Sequence, residues 1–532
     1  MFDYIIIGGG SAGCVLANRL SANPTQSVCL LEAGPSDQTY WIQSCNPLNM
    51  LYLMNSRKYN WLYTAEPEPR TGKRPFFWPR GKALGGSSSI NAMIYTRGHR
   101  WDFDHWARLG NTGWDYESVL PWFKKSERQQ RGADDYHGIT GSMHVVDTNF
   151  HFPPTTAFVA AAQQAGYTRN RDLNGRHQEG FDFFQVNQTP DGKRCHAGAS
   201  FLDPALQRPN LEVITGAHVS RIRFQGKKAI GVEYYVGRKR KEALTISAAK
   251  EVLLSAGVIN SPQILKLSGI GPADELSRLS IPVIHDLPGV GENLQDHPDV
   301  ILRCLDKTKT SFATSPGPYA LNFLSHYFRK DPPFIYTPTD AGGFVKSDPE
   351  QPIPDLQLQF AAVRMQPHGK GLFTTSRFGY VLHVCHMRPE SRGRITLKTA
   401  DPFDSPRIEA NYFAQETELE ALIKGVKIAR KILNQPAFAE FNGGEEVPGP
   451  SVKTNADIRQ FILEKMETVY HTAGSCKMGT DPLAVVDPQL KVHGIENLRV
   501  IDSSIMPTIT GSNIHGPTVM IAEKGAHMVL NE

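Results

Sequence analysis

The stretch that decides the fold is DYIIIGGGSAGCVLANRL, residues 3–20. Its β-branched run is typical of a buried parallel strand, and the run ends in a glycine-rich turn. Apolar residues at helical spacing follow, so the turn leads into a helix whose free N–H groups and positive dipole end favour a diphosphate. Gly8 permits the tight turn, Gly10 the approach of the phosphate and Gly13 close helix packing, with Ser11 at the helix start.

A second strand is predicted over residues 27–31, and it ends at Glu32, nineteen residues after Gly13. A carboxylate at this place accepts hydrogen bonds from both hydroxyls of an adenosine ribose and disfavours a 2′-phosphate. The glycine motif alone is weak evidence, because a glycine-rich surface turn has the same composition. Strand, turn, helix, second strand and terminal acid together predict a dinucleotide site.

The size and charge of the chain exclude some classes of protein. At 532 residues it is too long for one core, which predicts two or three domains. A net charge of only +4, without a long basic block, argues against nucleic acid as a partner. The short basic cluster at residues 238–241 is interpreted as a solvated hairpin tip.

Cysteine usage indicates a reduced compartment. The seven cysteines are scattered, none forms a CxxC pair, and an odd number fits buried thiols better than a disulfide framework. The first strand begins at Asp3, so we expect no signal peptide, and no apolar run reaches the roughly 18 residues of a spanning helix. We therefore predict a cytoplasmic protein.

A second glycine-rich stretch, PRGKALGGSSSIN, covers residues 79–91. Its composition is compatible with a flexible linker, but linkers seldom run straight into an apolar segment such as residues 92–95. We therefore interpret it as a loop against a ligand.

The middle of the chain is predicted to alternate strands with helices. Residues 101–131 look helical, and strands are expected over 142–146, 211–214, 221–224, 230–235, 244–247 and 251–256. The last of these runs into Gly257, which repeats the pattern of a strand entering a glycine turn.

Residues 298–460 read as a second domain without a chemical motif of its own. Strands are expected over 356–360, 378–384 and 393–397, and a helix over 418–433. Leu321, Leu324 and Phe328 have helical spacing, for which core packing is the default and a pocket wall or a peripheral membrane contact the alternative.

Two histidines near the carboxyl terminus are candidates for catalysis. His471 lies in VYHTAG, residues 469–474, and His515 follows in GSNIHGPT, residues 511–518. Pro517 suits the first turn of a helix, so a second positive helix end is expected here.

If the pyrimidine edge of a flavin lies at that helix start, the dipole and free N–H groups stabilise the negative charge that develops during reduction. Hydride leaves an alcohol carbon readily only when the hydroxyl proton is removed with it, and imidazole is suited to accept that proton. We assign His471 as the base and His515 as its partner. Metal binding by the pair is the alternative, but no third ligand stands at a recognisable spacing, so no metal site is predicted.

With these motifs in place, the chain resembles the glucose-methanol-choline (GMC) flavoprotein oxidoreductases. The resemblance runs from residue 2 to about residue 530. It rests on four blocks: Gly8 to Gly13 with Glu32, Gly81 to Asn91, Gly257 to Gly271, and His471 with Asp502 to Thr518.

The resemblance implies an α/β fold, α+β overall, in two domains. A Rossmann-type FAD-binding domain would be assembled from residues 1–145, 200–297 and 465–532. A substrate-binding domain, built on an antiparallel sheet over the flavin face, would comprise residues 146–199 and 298–464.

The resemblance also assigns roles to residues. Asn91 and its neighbours would line the flavin, Val219 would touch the adenine through its backbone, and Asp502 would contact the ribityl-phosphate region. His471 falls on the family's catalytic histidine and His515 on the second position, which is His or Asn in different members. The implied cofactor-binding set is Gly8, Gly10, Ser11, Gly13, Glu32, Gly85, Gly86, Asn91, Ala92, Val219, Asp502, Gly516, Pro517 and Thr518.

The chain departs from the family pattern at two positions. Val258 stands where the second signature usually has a small residue, in a packing position. Ile90 stands where some choline-oxidising members carry the histidine that bonds covalently to FAD. Because isoleucine has no nucleophile, we predict that FAD is bound non-covalently.

Within the family, the chain looks most like bacterial choline-dehydrogenase-like alcohol dehydrogenases. We predict oxidation of an aliphatic or aryl primary alcohol to its aldehyde, with electrons passed to a quinone or another acceptor. Choline is less favoured, because the sequence alone places neither an aromatic cage nor a carboxylate in the pocket. The alternatives are an oxidase that uses O2 and releases H2O2, and, from another class, a flavin-binding protein or lyase without redox turnover.

Overall fold

The computed structural model describes residues 1–148, 150–237, 242–312, 339–365 and 377–531. Its strands are β1 (Phe2–Ile7), β2 (Val28–Glu32), β3 (Tyr63–Thr64), β4 (Phe77–Trp78), β5 (Glu127–Gln129), β6 (Met143–Asp147), β7 (Gly180–Phe183), β8 (Gln185–Val186), β9 (Leu211–Thr215), β10 (Ala217–Gln225), β11 (Lys228–Val236), β12 (Leu244–Leu254), β13 (Ile270–Gly271), β14 (His285–Asp286), β15 (Pro298–Asp306), β16 (Thr339–Val345), β17 (Leu356–Ala361), β18 (Gly379–His386), β19 (Arg394–Thr396), β20 (Arg407–Glu409), β21 (Asn442–Val447), β22 (Glu467–Thr468) and β23 (Leu498–Val500).

The helices alternate with these strands. They are α1 (Ser11–Leu20), α2 (Tyr40–Gln43), α3 (Pro47–Asn55), α4 (Arg100–Arg108), α5 (Tyr116–Ser126), α6 (Pro153–Gln164), α7 (Gly257–Leu267), α8 (Ala273–Arg278), α9 (Glu416–Leu433), α10 (Asn455–Lys465) and α11 (His515–Leu530).

The first sheet has the order β10-β11-β12-β1-β2-β9, with β23 paired to β12. β1 lies between β12 and β2 and is parallel to both, and β9 and β23 extend the parallel part. The strand β1 and the helix α1 are almost entirely buried, as the apolar run predicts. The Gly8–Gly13 turn therefore lies at the carboxyl edge of a parallel sheet, where ligands bind in open α/β folds.

The strand β12 differs from the expected pattern, because one continuous strand replaces two. Its first half is antiparallel to β11 and its second half is parallel to β1. The two apolar segments are therefore one strand that changes partner partway along. The predicted helix over residues 101–131 is in fact α4 and α5 followed by β5, because the turn at Gly110 and Gly113, both with positive φ, ends α4.

The second sheet is antiparallel and has the order β21-β15-β18-β17-β16-β7, with β22 paired to β15. Its strands come from residues 180–183, 298–447 and 467–468, and α9 packs against it. A parallel Rossmann-type sheet and a separate antiparallel sheet together confirm the predicted fold class. The predicted domain boundaries remain a prediction, and β22 lies within the segment assigned to the other domain.

All seven cysteines are free and buried, as expected of structural thiols. Within the part of the chain that the structure describes, none of the helices combines the length and the apolar character needed to span a bilayer. The predicted hairpin tip at residues 238–241 and the apolar segment Leu321, Leu324 and Phe328 lie outside the described residues.

Candidate active site

The glycines of the first turn have distinct structural roles. Gly8 has φ +98°, in the left-handed region, and a Cβ on Gly13 would lie 1.9 Å from the Gly8 carbonyl oxygen. Gly13 is therefore required for α1 to pack on the turn. A Cβ on Gly10 would meet only the Gly86 Cα, at 3.9 Å, because Gly10 faces a cavity.

Glu32 ends β2 at the edge of the same cavity. Its Oε2 accepts the Gly9 N–H at 2.9 Å and its Oε1 accepts the Gly34 N–H at 2.7 Å. Burial raises the pKa of this carboxyl to about 7. Each oxygen has acceptor capacity left, so the carboxyl is placed to bind the two hydroxyls of a ribose.

The loop over residues 79–91 packs against the first turn. The Gly85 N–H donates to the Gly9 carbonyl at 2.8 Å, and Gly85 and Gly86 both have positive φ, which favours glycine at each position. This contact brings the second glycine-rich stretch to the same cavity, as interpreted from the sequence.

Arg194 holds the end of that loop and was missed by sequence reasoning. Its Nη1 donates to the Asn91 carbonyl at 2.7 Å, to the Asn91 Oδ1 at 3.0 Å and to the Ser88 carbonyl at 3.3 Å. The side chain is buried, and burial lowers its pKa. A lone arginine in an unremarkable segment carries no local signal of this role.

Asp502 fixes the start of α7. Its Oδ2 accepts the Gly257 N–H at 2.9 Å and the Ser261 hydroxyl at 2.7 Å, and its Oδ1 accepts the Ser504 N–H at 2.7 Å. Gly257 has φ +81°. Asp502 thus joins the second glycine turn to the carboxyl-terminal segment, and it lines the cavity.

His471 contacts two side chains that the sequence analysis did not select. Its Nδ1 lies 3.1 Å from the His297 Nδ1, and its Nε2 lies 3.1 Å from the Asn513 Nδ2. Burial, with a smaller contribution from the Arg80 guanidinium, lowers the pKa of His471 to about 3. The imidazole is therefore neutral at neutral pH.

His515 is the first residue of α11 and lines the same cavity. Among the described residues, its buried Nε2 has no hydrogen-bond partner, so this nitrogen is available to a ligand. Burial, and then the Arg194 guanidinium, lowers the pKa of His515 to about 4. A Cβ on the adjacent Gly516 would lie 2.7 Å from the Thr96 carbonyl oxygen, so glycine lets the helix start approach the 92–96 segment.

Most of the predicted site residues lie around this single cavity. Those that line it are Gly8, Gly10, Ser11, Glu32, Gly86, Asn91, Ala92, Val219, His471, Asp502, His515 and Thr518. The others, Gly13, Gly85, Gly516 and Pro517, lie in the turns and helix starts around it. Residues separated by up to about 500 positions are thus brought together.

The cavity continues along the antiparallel sheet. Asp299, Ile301, Gln359 and His383 line this part, and the Asp299 Oδ2 lies 2.6 Å from the His383 Nδ1. The second domain therefore contributes chemical groups that its sequence did not reveal, because they project from different strands of the sheet.

The arrangement fits FAD. The cradle at Gly10 is open, Glu32 is placed for the ribose, and the buried His515 Nε2 at a helix start is left for a ligand. Ile90 is buried and lines the cavity, and its side chain has no nucleophilic atom.

Comparison with known proteins agrees with this geometry. Two family models described as GMC oxidoreductase match residues 2–299 and 389–522. The chain is similar to an alcohol dehydrogenase (acceptor) of Pseudomonas putida, with 44% identity covering 100% of this chain and 96% of the relative. It is also similar to the mitochondrial choline dehydrogenase of Mus musculus, with 42% identity covering 99% and 89%.

Solved structures give the same result. Pyridoxine 4-oxidase from Mesorbium loti superposes with a TM-score of 0.88 at 29% identity, covering 100% of both chains. A formate oxidase superposes with a TM-score of 0.91 at 25% identity, covering 100% of this chain and 98% of that one.

Proposed function

The chain belongs to the GMC oxidoreductase family, whose members are FAD-dependent and act on CH–OH donors, and on that premise we propose that it oxidises a primary alcohol to its aldehyde. The proposed substrate is aliphatic or aryl, and the proposed base is His471. The observation that carries the proposal is that His471 and the Gly8–Gly13 turn border one cavity.

Three parts of the cavity are proposed to hold the cofactor. Glu32 binds the adenosine ribose, the first turn with the start of α1 binds the diphosphate, and the start of α11 faces the pyrimidine edge of the flavin. FAD, when bound, supplies the two-electron acceptor for the hydride that leaves the carbinol carbon.

His471 takes the hydroxyl proton on its Nε2 in this proposal. Its low pKa keeps the imidazole neutral over the physiological pH range, so the ring offers a nitrogen lone pair to the hydroxyl proton. The same burial, together with Arg80, disfavours the imidazolium once it has formed, so the proton is passed on readily when the product leaves.

The polar side chains that line the cavity along the antiparallel sheet help to distinguish choline from an uncharged alcohol as the substrate. Asp299 is a carboxylate of the kind that a trimethylammonium group requires, but His383 already occupies one of its oxygens. Trp61 and Tyr470 are aromatic side chains that line the described part of the cavity. The contact between His383 and the Asp299 carboxyl group favours an uncharged primary alcohol over choline.

The electron acceptor separates two versions of the proposal. The relatives include a protein named as an alcohol dehydrogenase (acceptor), which favours a dehydrogenase passing electrons to a quinone. Oxidases among the structural neighbours support the version that uses O2. Reoxidation of the reduced protein in air, compared with reoxidation by a soluble quinone, distinguishes them.

The test is a panel of alcohols added to the FAD-loaded protein without oxygen. Linear primary alcohols, benzyl-type alcohols, secondary alcohols and choline are compared by the rate of flavin bleaching and by aldehyde analysis. We expect a primary alcohol to bleach the flavin fastest and to yield one aldehyde per flavin. Bleaching by no alcohol would contradict redox turnover and favour the flavin-binding or lyase alternative, against which the intact His471 and His515 argue.

A further inference from the structure

His471 lies in a bulge between two pairs of antiparallel backbone contacts. Thr468, the last residue of β22, is opposite Pro298, and Ala473 is opposite Gln295. The chain therefore advances five residues on the His471 side against three on the other side, so two extra residues are taken up between the two pairs. Extra residues of this kind bend a strand and redirect a side chain. The bulge thus sets the direction in which the His471 side chain leaves the backbone.

Tyr470, the residue before His471, has an unusual backbone conformation in this bulge. Its φ is +65°, in the left-handed region that favours glycine and that an aromatic residue adopts only under strain. Because the dihedral angles of Tyr470 orient the peptide that carries His471, relaxation to a negative φ would turn His471 away from its present direction. Strain of this kind persists only where the surrounding contacts hold it.

Two side chains hold the backbone of Tyr470, one at each polar atom. The Thr468 Oγ1 accepts the Tyr470 N–H at 2.8 Å, and the Arg80 Nη2 donates to the Tyr470 carbonyl oxygen at 2.6 Å. Arg80 and Thr468 line the cavity, as Tyr470 and His471 do. Together, Arg80 and Thr468 form a clamp on Tyr470 that fixes the orientation of its backbone.

Asp296 determines the direction of the contact between Thr468 and Tyr470. Its Oδ2 accepts the Thr468 hydroxyl and also the Tyr412 hydroxyl, the latter at 2.5 Å. A hydroxyl has one proton to donate, so Thr468, which gives that proton to Asp296, is left with acceptor capacity for the Tyr470 N–H. This half of the clamp therefore depends on three separate segments of the chain.

Arg80 is held in place through its own backbone. The Asn60 Oδ1 accepts the Arg80 N–H at 2.9 Å, and the Trp61 N–H donates to the Arg80 carbonyl oxygen at 2.9 Å. After the larger effect of burial, the charge of Arg80 lowers the pKa of His471, which is unfavourable at the step in which a base takes up a proton. The contact with the Tyr470 carbonyl gives the guanidinium a structural reason to lie there.

We propose that Arg80 and Thr468 are positioning residues, which hold Tyr470 in the left-handed conformation and thereby direct His471 at the substrate. The inference rests on the proposed function, in which His471 is the base. The clamp takes no part in the bond changes; it sets the distance between His471 and the hydroxyl proton. A misplacement of about 1 Å in such a contact slows a reaction by up to about 10²-fold.

The first experiment compares Arg80→Gln with the wild type, both loaded with FAD. Loss of the charge favours the imidazolium of His471 and alone would make proton uptake as fast or faster, whereas loss of the contact with Tyr470 slows it. We expect the limiting rate of anaerobic flavin reduction by the best primary alcohol to fall by about 10²-fold. The alcohol concentration at half of that rate and the FAD content should stay as in the wild type.

Arg459→Gln is the matched control for this substitution. The Arg459 side chain is 43% exposed, and its Nη2 donates to the Glu416 Oε2 at 2.9 Å. It lies outside the lining of the cavity, so the same chemical change should leave the rate of flavin reduction as in the wild type.

Thr468 supplies a second test if Arg80→Gln folds poorly. Thr468→Val keeps the size of the side chain but removes the acceptor of the Tyr470 N–H, and we expect the limiting rate to fall by about tenfold. Thr468→Ser keeps the hydroxyl and should have a rate close to that of the wild type. A rate as low in Thr468→Ser as in Thr468→Val would overturn the role of the hydroxyl.

Tyr470→Asn tests the strain itself. Asparagine adopts the left-handed conformation more readily than tyrosine, so loss of the clamp should matter less in its presence. We expect Arg80→Gln to lower both the melting temperature and the limiting rate less in a Tyr470→Asn background than in the wild-type background, as measured by a double-mutant cycle. Equal effects in the two backgrounds would overturn the clamp.

The outcomes separate the two proposals. Arg80→Gln and Thr468→Val both reduced at the wild-type rate, or Arg80→Gln reduced faster than the wild type, overturn the positioning role and leave the proposed function intact. A wild type that no alcohol reduces removes the proposed function, and the clamp on Tyr470 is then decided by the melting temperatures of the double-mutant cycle.

Discussion

The first glycine turn and the wall around His471 border the same cavity but are assembled in opposite ways. In the turn, Glu32 bonds to Gly34, two residues away, and to Gly9, 23 residues away. At the wall, His471 and His297 are 174 positions apart, and Gln357 and Asn513 are 156 apart. The first turn and Glu32 are encoded within residues 8–34, whereas the arrangement around His471 depends on how distant segments are placed together.

This difference predicts different effects for substitutions in the two regions. Changes in the turn should act on the fold and on cofactor binding, with effects that the local geometry explains. Changes at the wall should leave the cofactor in place and act on the reaction, because the turn is held by its own contacts with Glu32 and Gly85.

The largest expected effect is in the turn, where two glycines make a matched pair. Gly13→Ala puts a Cβ 1.9 Å from the Gly8 carbonyl oxygen, so α1 cannot pack, and we expect loss of FAD and of the folded state. Gly10→Ala meets only an ordinary contact at 3.9 Å, so the protein should fold, while its methyl group intrudes on the diphosphate and weakens FAD binding.

Thermal denaturation and FAD titration of the apoprotein check this pair. A Gly13→Ala protein that keeps both its melting temperature and its FAD would contradict the assignment of helix packing to Gly13 and of diphosphate binding to Gly10. So would a Gly10→Ala protein that unfolds.

A smaller effect, on the stability of the fold, is expected at the cluster of His137, Glu127 and Asp172. Like the wall around His471, this cluster joins residues that are separated in sequence. The His137 ring lies 3.1 Å from the Glu127 Oε1 and 3.1 Å from the Asp172 Oδ2. Burial lowers the pKa of His137, but the hydrogen bonds to Asp172 and Glu127 outweigh it and raise the pKa to about 9. A pKa above the unfolded value of about 6.5 means stability present below pH 6.5 and lost as pH rises through about 9.

We therefore expect His137→Gln to lower the free energy of unfolding by about 3 kcal/mol at pH 6 and by much less at pH 10. Urea unfolding at the two pH values measures the difference, with the exposed His177→Gln as control. A deficit that is the same at both pH values would show that His137 is uncharged in the fold.

The sequence predicts the first glycine turn better than it predicts the wall around His471. The β1 strand, the turn and Glu32 are predictable because each signal stands next to the element it serves. His471 and His515 are found from their neighbours, but Asn513 and His297 are not, because their partners come from other segments. Arg194 and Asp299 were missed for that reason, and only the pairing of β15 with β18 brings Asp299 to His383.

The central claim is that His471 removes the alcohol proton beside bound FAD. Anaerobic mixing of the FAD-loaded protein with its best primary alcohol, in the wild type and in His471→Ala side by side, tests it most directly. We predict that the wild type bleaches and that the variant, with the same FAD content, bleaches about 10³-fold more slowly. Equal rates of bleaching in the two proteins would contradict the account.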